Sequence, residues 1–235
     1  METAITPKTK VLILAYPNNP TGGVMTAEQL RAIVPVIKKH DLLVISDEIY
    51  AELTYGGVHS SFAALPEMKE RTVLISGFSK AFAMTGWRIG YVCAPPELDD
   101  AMFKIHQYGI MCAPSAGQYA ANYALQEGLE DGFLAVKEMH DEYNRRRRFV
   151  VNSLNEMGLT CFEPKGAFYV FPSVASTGLS GEEFAERLLM AQKVAVVPGN
   201  AFGECGQMHV RCSYATGMPQ LTEAMERMGK FLRSL

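Results

Sequence analysis

Four apolar runs dominate the first part of the chain: "KVLILAY" (10–16), "LLVISDE" (42–48), "TVLISGF" (72–78) and "IGYVCAP" (89–95). None alternates apolar with polar residues. Continuous Val, Ile and Leu suit strands covered on both faces, as in a parallel sheet. Between the first two runs, "TAEQLRAIVPVIKKHD" (26–41) places apolar residues at helical spacing, with Thr26 positioned to cap it. Pro35 is expected to kink or interrupt that helix. Strand, helix and strand in this order predict a right-handed crossover and an α/β layer fold.

The pattern changes after Ala116. Long helical stretches run to Met157, followed by short mixed segments: "GAFYVFP" (166–172), an amphipathic helix at 181–192, "KVAVVPG" (193–199), "QMHVRCSYA" (207–215) and a final helix at 219–234. This predicts a mostly parallel sheet flanked by helices over 1–137 and a smaller α+β domain over 138–235. A long helix around 130–157 is expected to join them. No internal repeat or low-complexity linker interrupts the chain.

Composition narrows the class of protein. The 235 residues carry a formal charge of −3, which gives no general reason to expect nucleic acid or an anionic membrane as partner. The five cysteines form no C-x-x-C pair, which argues for a reducing compartment and against a disulfide or zinc framework. The five histidines show no metal-ligand spacing. "METAITPKTK" at the N-terminus has no apolar signal-peptide core, and no run approaches the roughly 18 apolar residues of a membrane span. The expected location is the cytoplasm.

In open parallel sheets, ligands bind beyond the carboxyl ends of the strands. Past the first strand lie Asn18 and Asn19 in a Pro/Gly turn; past the second lie Asp47, Glu48 and Tyr50; past the third lies Lys80. An amide, a carboxylate with a phenol, and an amine at neighbouring strand ends suit a lysine Schiff base to pyridoxal phosphate, with an acid for the pyridinium nitrogen.

The motifs around these residues strengthen that reading. "GFSKAFAMTGWRIG" (77–90) carries Arg88 eight residues after Lys80 and Gly90 ten after it. "NNPTG" (18–22), "SDEIY" (46–50), "GAFYVFP" (166–172), "VVPGNAFG" (196–203) and "HVRCSYA" (209–215) complete an ordered set. In these stretches the chain resembles the C-terminal portion of a fold-type I, class I aminotransferase, and the likeness covers essentially all of it. The resemblance implies the pyridoxal-phosphate transferase fold, with a partial large domain and a small C-terminal domain. It implies transfer of an amino group between an α-amino acid and a 2-oxo acid, and a homodimer for the complete protein.

The same resemblance assigns roles. Lys80 is the Schiff-base lysine and moves the proton at the substrate Cα. Asp47 keeps the ring nitrogen protonated, and Tyr50 and Asn19 hydrogen-bond the cofactor's phenolate oxygen. Arg88 takes the phosphate and Arg211 the substrate α-carboxylate, both as planar forks. Many relatives carry Ser three residues before the lysine; this chain has Gly77, which leaves Ser76 or Ser79 to supply the phosphate's hydroxyl donor. Glu48 is assigned to structure and Trp87 to packing, and Arg145 to Arg148 to solvated pairs with preceding acids.

Measured against that family, the N-terminal arm and the first part of the large domain are absent. The isolated chain is therefore expected to bind pyridoxal phosphate weakly and not to transaminate. Competing readings are a carbon–sulfur β-lyase on the same cofactor, a non-catalytic aminotransferase-like domain of a transcription regulator, and an inactive product of an interrupted gene. The regulator would need a helix-turn-helix, and none precedes Val11. A Ser-Lys hydrolase is excluded because its S-x-x-K would need Ser at 77.

Overall fold

Thr26 opens the first crossover helix with a capping box: its hydroxyl accepts from the Gln29 N–H, and the Gln29 side chain accepts from the Thr26 N–H. In the computed structural model, which describes residues 1–235, α1 (Ala27–Lys39) links β1 (Val11–Ala15) to β2 (Leu43–Asp47). The helix is continuous through Pro35, so the expected interruption is absent. Pro35 lies on the exposed side, where water can take the carbonyl that its missing N–H leaves.

Contacts divide the chain into two compact units: residues 1–17 with 24–137, and residues 18–23 with 138–235. In the first unit, β1, β2, β3 (Thr72–Gly77) and β4 (Gly90–Cys93) form one sheet in that order. β1, β2 and β3 are parallel, whereas β4 returns antiparallel to β3. That corrects the parallel reading of the fourth run. The connection holds only the one-turn helix α2 (Phe78–Ala81) and a 3₁₀ turn, not the full crossover helix that a parallel return needs.

Helix α1 packs on the sheet through Leu14, Leu30, Ile37, Leu42 and Val44, with Phe62 and Met68 completing this core. The opposite expectation, burial on both faces, does not hold throughout. Ile13 is 68% exposed, and all four residues of β4 are exposed. Helix α3 (Pro96–Gly109), which the sequence pattern did not single out, has no buried residue; Phe103, Ile105 and Tyr108 are all exposed. A helix without a buried stripe lacks the periodic signature by which sequence announces one. Helices α4 (Ser115–Asp131) and α5 (Leu134–Glu156) follow, and α5 runs on into the second unit.

The second unit packs α5, α6 (Gly181–Gln192) and α7 (Met218–Arg233) with a small antiparallel sheet. The sheet contains β5 (Tyr169–Val170), β6 (Val197–Pro198) and β7 (Val210–Ser213), in the order β5-β7-β6. All three strands are shorter than the runs that announced them. Ser180 and Glu183 form a second capping box at the start of α6. Leu154, Val170, Phe184, Leu188, Tyr214 and Met228 centre the core. Tyr214 is fully buried, and its hydroxyl is satisfied by the Ala167 carbonyl at 3.1 Å.

The arginine run on α5 is only partly solvated. Arg145 and Arg146 pair with Glu142, as the spacing implies. Arg147 departs from that expectation: it is 6% exposed and donates to Asn144 Oδ1, Glu163 Oε1 and the Pro164 carbonyl. Its turn of the helix faces the core, and a guanidinium is tolerated there because acceptors surround it.

All five cysteines are free thiols. Burial pushes Cys161 up to about 11 and Cys212 up to about 12, while Cys93, Cys112 and Cys205 are exposed. Since the thiolate is the reactive form, iodoacetamide at about pH 8 should alkylate the three exposed cysteines of the native chain and spare the buried pair. Mass spectrometry of native and denatured samples reads this directly. Native-state alkylation of Cys212 at the rate of Cys205 would contradict the packing described.

Candidate active site

The parallel register brings the strand ends level. Ala15 pairs with Asp47, and Asp47 with Ile75. The ladder continues past the strand end through Glu48 N–H to the Ile75 carbonyl at 2.8 Å. Strand alternation then sorts the side chains: Val44, Ser46 and Glu48 are buried, while Ile45, Asp47 and Ile49 are only partly covered. Asp47 Oδ1 accepts from the Ile49 N–H at 3.1 Å, which fixes the carboxylate at the start of the following turn.

Beyond β3 the chain turns sharply at Gly77. A Cβ there would lie 2.8 Å from Gly90 Cα and 2.9 Å from the Ile89 carbonyl oxygen, so the β3–β4 backbones close on a glycine. In this chain the Gly77 backbone therefore lies directly against β4. The one-turn helix α2 then presents Lys80, half-buried, with its Nζ 5.5 Å from the centroid of the Tyr50 ring. Tyr50 is itself 7% exposed, so its ring is a fixed surface for the amine.

The segment 79–88 closes on itself. Thr85 Oγ1 donates to the Ser79 carbonyl at 3.0 Å, and Arg88 Nη1 donates to the Thr85 carbonyl at 2.9 Å. Arg88 sits in the left-handed region at φ 57° and is exposed, so its guanidinium faces water with donors to offer. Ser79 takes part through its backbone carbonyl. Trp87, expected to pack, is 49% exposed because it lies on the surface 3₁₀ turn Thr85–Trp87.

Asn19 and Arg211 belong to the second unit. Arg211 Nη1 donates to Asn19 Oδ1 at 2.8 Å. The guanidinium carbon lies 4.6 Å from the Tyr169 ring centroid and 4.8 Å from that of Phe202. Rings near a guanidinium stabilise it electrostatically and restrict its motion. Its Nε is buried without a hydrogen-bond partner. Just before β7, His209 stacks on Phe171 with ring centroids 5.0 Å apart. Tyr169 and Phe202 were not picked out from sequence; their signal was present in "GAFYVFP" and "VVPGNAFG", read there as landmarks only.

The "NNPTG" turn is locked by backbone geometry. Asn18 Oδ1 accepts from the Thr21 hydroxyl at 2.7 Å, and the Gly22 carbonyl accepts from the N–H groups of Lys165 and Gly166, both at 2.9 Å. Gly22 has φ +68°, and a Cβ on it would come within 2.3 Å of Pro164 Cβ. Pro164 in turn is held by Arg147 through its carbonyl at 2.8 Å.

Comparison with known proteins identifies the family. The family model "Aminotransferase class I and II" matches residues 1–228, and the chain belongs to that family. It is 51% identical over 230 residues to an aspartate aminotransferase of Pyrococcus abyssi, covering 97% of this chain and 59% of that protein. It is 48% identical over 234 residues to aromatic-amino-acid aminotransferase 2 of Thermococcus litoralis, covering 99% and 60%. The solved aromatic aminotransferase of Pyrococcus horikoshii OT3 superposes with a TM-score of 0.95 at 48% identity, covering 99% of this chain and 62% of that one. The chain thus spans about 60% of the length of the curated relatives it matches. The family depends on pyridoxal phosphate. The first unit's residues fit that group: a half-buried lysine against an aromatic face, a carboxylate on the neighbouring strand end and an exposed guanidinium.

Gly22→Ala should destabilise the second unit, because the added methyl meets Pro164 and the left-handed backbone is strained at once. The expected cost is about 2–4 kcal/mol in chemical denaturation. An unchanged denaturation midpoint would mean that the turn is not packed as described.

Proposed function

We propose that this chain carries the cofactor-binding and substrate-binding residues of an aminotransferase that moves an amino group between an α-amino acid and a 2-oxo acid. The observation that carries the reading is the placement of Lys80 over the Tyr50 ring with Asp47 at the end of the adjacent parallel strand. Pyridoxal phosphate, when bound, supplies the aldehyde that amines condense with and the ring that accepts the electron pair left at the substrate Cα.

The chain's own residues do the rest. Lys80 Nζ would be the amine that binds the cofactor's aldehyde carbon, and once the substrate amine displaces it, the freed Nζ would take the proton from the substrate Cα and deliver it to that former aldehyde carbon. Asp47 stabilises a proton on the ring nitrogen, since an adjacent carboxylate favours the charged form. The Tyr50 hydroxyl and the Asn19 amide donate to the phenolate oxygen, and Arg88 binds the phosphate, with Ser79 as a further donor in that loop. Arg211 reads the substrate α-carboxylate as a planar fork. Asn19, Tyr169 and Phe202 hold that fork in place.

The working protein on this reading is a homodimer placed in a reducing compartment such as the cytoplasm, where its five free thiols would stay unpaired. It also requires residues equivalent to the remaining two fifths of its relatives. Exposed Val11 and Ile13 on β1, Tyr91 and Val92 on β4, and Phe103 and Ile105 on α3 support this, because apolar surface of that extent is stable only when covered.

Borohydride reduction in the presence of pyridoxal phosphate, followed by peptide mapping, tests both parts. The 235-residue chain should carry sparse pyridoxyl label on Lys80 and show no turnover of amino acids. Supplying the N-terminal part of a family member in trans or by fusion should raise both. Label confined to another lysine would overturn the role of Lys80. Steady turnover by the chain alone would overturn its dependence on further residues.

A further inference from the structure

Glu48 stands next to Asp47 in sequence but on the opposite face of β2. It is 5% exposed, among the few buried charged side chains of the chain. Its carboxylate collects hydrogen bonds from two directions. Ser46 Oγ donates to Oε1 at 2.9 Å from the strand that precedes it. From the far side, Ser61 Oγ at 2.9 Å and Phe62 N at 3.2 Å donate to the same oxygen, and His59 Nε2 lies 2.7 Å from Oε2.

The donors of the second group lie 11 to 14 residues further along the chain. Between them and Glu48 the chain leaves the end of β2, forms turns through Ala51 N to the Glu48 carbonyl and Leu53 N to the Tyr50 carbonyl, and comes back. Gly56, Gly57 and Val58 at its tip are exposed, whereas Tyr50, Leu53 and Tyr55 are buried. The arc is therefore a closed surface loop whose departing and returning ends meet on one carboxylate. Tyr50, two residues past Glu48, is the arc's contribution to the Lys80 site.

Burying a carboxylate costs several kcal/mol before its partners are counted, and an apolar residue of similar size would avoid that cost. Burial by itself would raise the Glu48 carboxyl, but hydrogen bonds from His59, Ser46 and Ser61 leave it below the ordinary carboxylate range. The charged form is thus the one that ties the loop. A directional tie of this kind fixes geometry where a greasy contact would let the loop slide.

We infer that Glu48 is a positioning residue for the reaction: it clamps the 49–61 arc and so holds Tyr50 against Lys80. The inference rests on the reading of Tyr50 as a cofactor-tuning residue, and it extends that reading to a carboxylate that does not face the cofactor.

The test uses the 235-residue chain. Amide hydrogen exchange followed by mass spectrometry compares the parent with Glu48→Gln, which keeps the shape and removes the charge, and with Ser61→Ala, which removes one donor and leaves the buried acid. Peptides within 49–62 should exchange about tenfold faster in Glu48→Gln and about threefold faster in Ser61→Ala, as expected for losing charge-assisted and single hydrogen bonds respectively. Peptides from α6 and α7 should be unchanged in both.

The fraction of Lys80 trapped by pyridoxal phosphate and borohydride is the second readout, taken on the chain fused to the N-terminal part of a family member and in a cycle with Tyr50→Phe. If Glu48 acts through Tyr50, both single variants lower trapping and the double variant falls no further than Tyr50→Phe alone. Unchanged exchange in 49–62 in both Glu48→Gln and Ser61→Ala would overturn the clamp. A fall in trapping that is equally large in the Tyr50→Phe background would overturn action through Tyr50. Parental trapping in Tyr50→Phe would overturn the reading of Tyr50 instead, while the exchange result still judges the clamp.

Discussion

Parallel pairing of β1, β2 and β3 obliges their carboxyl ends to lie along one edge, and the register Ala15–Asp47–Ile75 sets which residues stand there. Side chains alternate faces along a strand, so a slip of one residue would exchange Asp47 with Glu48. The acid meant for the site would be buried, and the acid that ties the loop would face the site. The buried Glu48 hydrogen bonds tie the end of β2 to the loop that follows it, since Ser46, His59 and Ser61 all converge on that one carboxylate. The next strand depends on the same edge. Gly77 admits β4 to backbone contact, and that approach directs α2 and Lys80.

In the second unit a comparable economy rests on glycine and arginine. Gly22 lies against Pro164, and Arg147 holds Pro164 by its carbonyl, so the segment 18–23 is gripped by backbone and buried charge. That grip presents Asn19 to Arg211 across 192 residues of sequence. With two aromatic rings within 5 Å of its guanidinium carbon, Arg211 has little freedom left to lose when an anion binds.

The parts of the fold legible in the sequence are those written in local periodicity. α6 begins and ends where its apolar spacing places it, and β1 to β3 fall within their apolar runs. The direction of β4 was not legible, because an apolar run carries no record of the path by which the chain reaches it. Helix α3 escaped notice for want of a buried face. Arg147 looked like its solvated neighbours because a run of charge does not reveal which turn of a helix faces inward. At the site, Lys80, Asp47, Tyr50 and Arg88 were named through their motif. The rings beside Arg211 and the close approach of Gly77 to Gly90 are tertiary facts, invisible until the backbone is closed.

The central claim is that Asp47, set by strand register, governs the proton on the cofactor's ring nitrogen. The most direct measurement is ¹⁵N NMR of ring-labelled pyridoxal phosphate bound to the chain fused to the N-terminal part of a family member, comparing the parent with Asp47→Asn. The parent should show a pyridinium resonance and Asp47→Asn a shift toward neutral pyridine, with label on Lys80 still trapped by borohydride in both. Identical ring-nitrogen resonances in the two proteins would contradict it.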